Sequence, residues 1–94
     1  MGIYVQTDRD GIARHFVQGL ESWDDFAAIV SKVLQSLSST IVQQGDGPDA
    51  RLCIVLVEGY EITFAYDDML GNFFYSRDKD AGGVIRSISA LFSD

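Results

Sequence analysis

Arg51 to Tyr66 reads RLCIVLVEGYEITFAY. Leu52–Val57 is an unbroken apolar run ended by Glu58-Gly59, and beyond it Tyr60, Ile62, Phe64 and Tyr66 recur at every second position. A short apolar run between turn residues predicts a buried strand, and strict alternation predicts a strand with one face covered. Gly59 supplies the backbone freedom of a tight reversal, so the two halves are expected to pair as a β-hairpin. Two registers are open. A two-residue loop places Cys53, Val55 and Val57 on the face of Ile62 and Phe64, whereas a three-residue loop with a bulge places Leu52, Ile54 and Leu56 there. In both, Tyr60, Ile62, Phe64 and Tyr66 face a core while Glu61, Thr63 and Asp67 face away.

Upstream, Ile3–Thr7 and Ile12–Gln18 alternate on either side of Asp8-Arg9-Asp10-Gly11, which predicts a second hairpin. Arg14 and His15 interrupt its second arm, as expected of an edge strand that discourages pairing with other chains. Ser22 then opens a helix, with Asp25 placed to complete a capping box. Trp23, Phe26, Ile29, Val30, Val33, Leu34, Leu37 and Ile41 fall at three- and four-residue steps along one stripe. Ser36, Ser38, Ser39 and Thr40 are poor helix formers, so the end is expected between Leu37 and Gln44, before the breaker run Gly45–Asp49.

Downstream, Asp67–Asn72 reads as a turn and Phe73–Ser76 as a further strand. Asp78 or Asp80 is placed to cap a last helix striped by Val84, Ile85, Ile88, Leu91 and Phe92. The expected order is β-β-α-β-β-β-α. Residues 1–94 then form one α+β domain, two helices packed on one antiparallel sheet of about five strands.

Fourteen acids against seven bases give a net charge of −7. Phosphate binding needs clustered Lys and Arg, so nucleic acid and anionic membrane are not expected partners. No stretch approaches the roughly 20 apolar residues of a membrane span. Asp8, Arg9 and Asp10 stand where a signal peptide would carry its apolar segment. Cys53, the single cysteine, has no internal disulfide partner, which fits a reducing, cytoplasmic setting.

No catalytic set emerges. Cys53 lies inside the apolar run, where an inert core thiol is expected, and His15 is the single histidine. Asp8-x-Asp10-Gly11 lacks the later ligands of a calcium loop, and no Cys/His spacing suits zinc. The helix preceded by Asp80-Ala81-Gly82-Gly83 opens with acid, which opposes phosphate. Neither a metal nor a cofactor is expected. A binding surface survives these exclusions. Glu58, Glu61, Asp67, Asp68, Asp78 and Asp80 come from the meander, its turns and the final cap, and are expected to gather at one end. Phe73 and Phe74 point to opposite faces, so one ring reaches the second face, and Phe74 is assigned to it. Aromatics ringed by carboxylates suit a basic protein partner.

In size, acidity, α+β layout and the stretch Tyr60–Asp68, YEITFAYDD, the chain resembles the small acidic immunity proteins that bacteria make against their own delivered toxins, including those of contact-dependent growth inhibition. The resemblance rests on these general features and carries over no functional residue by position. It implies a cytoplasmic, non-catalytic monomer that neutralises a cognate toxin, often a basic nuclease, by covering its active site. Two other expectations stand beside it. One is an acidic chaperone or adaptor, which would dimerise. The other is a small carboxylate enzyme built on Asp67, Asp68 and Glu61, which needs a concave pocket around them.

Overall fold

The computed structural model describes residues 2–93. Its elements are β1 (Gly2–Thr7), β2 (Ala13–Gln18), α1 (Trp23–Ser36), β3 (Ser39–Asp46), β4 (Ala50–Val57), β5 (Tyr60–Asp67), β6 (Gly71–Tyr75) and α2 (Gly82–Leu91). The strands make one antiparallel sheet in the order β1-β2-β6-β5-β4-β3, and the two helices pack on it in an α+β arrangement.

The central hairpin closes through a two-residue turn. Glu58 and Gly59 both take positive φ, 49° and 91°, the primed-turn geometry whose twist matches paired strands. Pairing runs without interruption from Val57–Tyr60 to Ala50–Asp67. Of the two registers, the two-residue loop is therefore adopted. Cys53, Val55 and Val57 join Ile62 and Phe64 under the helices, where none is more than 1% exposed. Leu52, Ile54 and Leu56 lie on the opposite face.

α1 covers the hairpin with Phe26, Ile29, Val30 and Val33, and α2 adds Val84 and Ile88, with its C-cap Phe92, to the same core. The start of α1 is fixed locally: the Asp25 N–H donates to Ser22 Oγ, and the Ser22 N–H returns to the Asp25 carboxylate. Its end comes sooner than the apolar stripe implies. Leu37 is already extended at φ −129° and ψ 153°. The Leu37 N–H still closes the last turn on the Val33 carbonyl at 2.9 Å, and Ser39 Oγ donates to the Leu37 carbonyl at 2.8 Å.

The sheet has six strands where about five were expected, and β3 is the difference. Thr40-Ile41-Val42 is β-branched throughout and pairs with β4, so Ile41 faces the core side opposite Val55 instead of extending α1. A bulge at Val42 shifts the register between Ile41 and Gln43. A second correction concerns β2, which is interior, paired with β1 on one side and β6 on the other. Its two irregular residues are absorbed by partners. Arg14 bonds Asp8 and Asp10 in the preceding turn at 2.8 and 3.1 Å, and His15 stacks on Phe74. A third concerns α2. Neither Asp78 nor Asp80 caps it: the N-cap is Ala81, with no side-chain cap hydrogen bond, and Asp78 Oδ1 instead accepts the Asp80 N–H.

Candidate functional site

With both helices on one face, the other face of the sheet carries no covering element among the described residues. Strand alternation puts Tyr4, Phe16, Phe73 and Tyr75 there, in a file crossing β1, β2 and β6 with successive ring centroids 6.1, 5.1 and 6.3 Å apart. The guanidinium groups of Arg14 and Arg77 lie over the Tyr75 ring. On the β4 side stand Leu52, Ile54 and Leu56. Between these ridges β5 offers the small side chains Thr63 and Ala65, leaving a depression of about 410 Å³ edged by Glu61, Arg77 and Asp78.

Phe74, the ring assigned to this face, is on the other one. It is fully buried, flat against His15 at 5.2 Å and beside Phe64 at 5.7 Å. Phe73 is the ring that reaches the open face. The six expected carboxylates do not gather at one end either. Glu58, Glu61, Asp78 and Asp80 lie where β5 begins, and Asp67 and Asp68 lie where it ends, roughly 20 Å away at about 3.3 Å per residue. Consecutive turns of an antiparallel meander fall at opposite ends, so the split follows from the topology.

The two ends differ in kind. At the first, Asp8 and Asp10 join those four acids, interleaved with Arg9, Arg14, Arg77, Lys79 and Arg86. At the second, Asp67 and Asp68 meet Asp46 and Asp49 from the β3–β4 turn and Glu21, Asp24 and Asp25 from the entry to α1. Hydrogen bonds tie these segments together: the Asp68 N–H donates to the Asp49 carbonyl at 3.1 Å, and Asn72 Nδ2 donates to the carbonyls of Leu20 and Ser22 at 2.8 and 2.9 Å. Among the described residues one base, Arg51, stands at this end, and it is committed. Its Nε donates to Asp46 at 3.0 Å and its Nη1 to the Trp23 carbonyl at 3.2 Å, with the guanidinium over the Trp23 and Phe26 rings. Seven carboxylates thus share this end with one occupied cation. From their midst the tip of the β5–β6 turn projects Met69, 91% exposed, and Leu70, 58% exposed.

The ionisable groups register this field. Tyr66, beneath the acidic end, has its phenol held above the ordinary value by burial and then by Asp68, Asp67 and Asp49. Burial pushes the Cys53 thiol up, away from the reactive thiolate. The Asp67 carboxylate is occupied by its own turn, accepting the N–H groups of Met69 and Leu70 at 2.8 and 3.2 Å. Asp67, Asp68 and Glu61 share no pocket, since Glu61 lies at the opposite end. Among the described residues no three His, Cys, Asp or Glu side chains converge as a metal site would require, and no helix is long and apolar enough to cross a membrane.

Sequence reading passed over much of this surface. Tyr4 and Phe16 looked like ordinary members of alternating strands, and Asp46 and Asp49 like part of a breaker run. The available signal was strand direction, which assigns each turn to an end. Comparison with protein-family models, curated proteins and solved structures yields no match.

Proposed function

We propose that the protein is a non-catalytic binding protein for a basic protein partner. More narrowly, it acts in the cytoplasm as a monomeric immunity protein that neutralises a basic, nuclease-type toxin by covering its active site. The observation that carries the reading is the segregation of charge: seven carboxylates and one committed arginine at one end, beside exposed Met69 and Leu70 and an uncovered aromatic sheet face. A nuclease cleft is cationic because it receives phosphate. Carboxylates fixed on short turns can stand in for phosphates there, giving fast and selective encounter, while apolar groups supply contact area.

The test is affinity capture from the host's own lysate with the immobilised full chain at about 50 mM salt, a strength that leaves surface charges little screened. The captured protein is identified and purified. One basic protein is expected, bound one-to-one, released by high salt and inactive while bound. A partner that keeps its full activity when saturated would remove the immunity reading. Capture of an acidic protein, insensitive to salt, would remove the basic-partner reading as well.

A further inference from the structure

Where β1 and β2 reach the acidic end, they and the β5–β6 turn enclose a cleft of about 260 Å³. Two of its walls are the Tyr4 and Phe16 rings, inclined at 45° to one another. The third is formed by Met69 and Leu70, apolar side chains left to solvent although they sit among carboxylates. Glu21 also lines the cleft. One of its oxygens accepts the Gly19 N–H at 3.1 Å, and the other has no partner among the described residues. Asn72 contributes to the lining, but its side chain is buried on the helix side of β6 with Phe74, its Nδ2 donating to the Leu20 and Ser22 carbonyls.

We propose that this cleft receives an arginine side chain presented by the basic partner. The proposal rests on the binding reading above and names the anchor that reading lacks. A planar guanidinium stacks on aromatic faces and carries charge-assisted N–H donors, which matches two rings flanked by the Glu21 carboxylate. Its apolar stem lies along Met69 and Leu70, as long basic side chains cover apolar surface while keeping the charged head near polar groups. A purely apolar occupant would strip water from the Glu21 carboxylate with nothing to replace it. An anionic one would enter against the carboxylates of this end. A second copy of the chain would bring the same acidic end to the interface.

The probe is acetyl-Gly-Arg-Gly-amide, titrated into the 15N-labelled full chain while backbone amide shifts are followed. Lysine and citrulline versions run beside it, citrulline being the uncharged isostere of arginine. Arginine should move the amides of Gln18, Glu21, Met69 and Leu70 saturably, lysine about threefold more weakly, and citrulline not at all. Tyr4→Ala and Glu21→Gln, both at exposed positions and checked for an otherwise unchanged spectrum, should each weaken the arginine titration by about threefold, the weight of one exposed cation–π or ionic contact. Equal binding of citrulline, saturation at the opposite end, or unsaturable shifts spread over all the carboxylates would overturn the assignment. Failure to capture any partner, with the peptide still saturating this cleft, would sink the partner reading and leave the cleft. Capture of a partner unaffected by Tyr4→Ala, with no peptide binding, would do the reverse.

Discussion

His15 looks misplaced in an alternating strand, and its surroundings explain how it is held. Its ring lies nearly parallel to Phe74, at 13°, and Nδ1 is buried with no partner among the described residues. Asp78, Lys79 and Arg86 line the depression beside it, yet desolvation is the cause that holds the imidazole below its ordinary 6.5. The folded chain therefore binds fewer protons than the unfolded chain once pH drops towards that value. Stability rises with pH wherever the unfolded state holds more protons, so the His15 contribution is complete above about pH 6.5 and is lost as pH falls below it. Thermal melts between pH 8 and 5 should show the midpoint declining below pH 6.5, with a shallower decline in His15→Phe. Identical slopes would mean that His15 titrates alike in both states. Asp10, held below 3.8 first by its hydrogen bond to Arg14, acts at lower pH, outside this window. At this scale legibility tracked locality. The capping box of Ser22 and Asp25 needs four consecutive residues and was readable. The choice between Phe73 and Phe74 needs the length of the β5–β6 turn, and one residue more or less exchanges every face of the strand.

Elements were readable where their periodicity was unshared. The alternation of β5 and the stripe of α1 each admit one interpretation. β3 does not, because Ile41 lies four residues after Leu37 and prolongs a helical stripe as naturally as it begins a strand. What decides is tertiary: an extended chain from Ser39 finds the free edge of β4, and propensity yields to that pairing. The returning β3–β4 turn brings Arg51 to the start of α1, where it clamps sheet to helix. The guanidinium lies 4.8 and 4.9 Å from the ring centroids of Trp23 and Phe26, while Trp23 meets Tyr66 edge-on at 5.6 Å. A lysine keeps the charge but loses the planar stack and the fork that reaches both Asp46 and the Trp23 carbonyl. Arg51→Lys should therefore cost about 1–2 kcal/mol in urea unfolding followed by Trp23 fluorescence. A midpoint and slope matching the parent would assign the clamp no weight.

Across the whole molecule, position matters more than total charge. Turn aspartates are interchangeable in a sequence, and only strand order reveals which turns share an end. That is why Asp49 and Asp24 belong with Asp68 while Glu58 and Asp80 do not. It also shows which substitutions can test the acidic end cleanly. Asp67 is unsuitable, since its carboxylate closes the turn through Met69 and Leu70 and a reversal there would disturb the backbone. Asp49→Lys with Asp68→Lys reverses two exposed charges at the acidic end. Glu58→Lys with Asp80→Lys changes the net charge by the same amount at the mixed end. Were total charge all that steers encounter, the two pairs would slow association with the captured partner equally. With the field concentrated on the Asp49 and Asp68 side, that pair should lower the association rate about tenfold at low salt and the other pair should change it little. The difference should fade as salt approaches about 0.5 M and the screening length shrinks to a few ångströms. Stopped-flow measurement at several salt concentrations decides between the two. Equal slowing would mean that net charge alone steers encounter, leaving the exposed rings and the Met69-Leu70 tip as the source of selectivity.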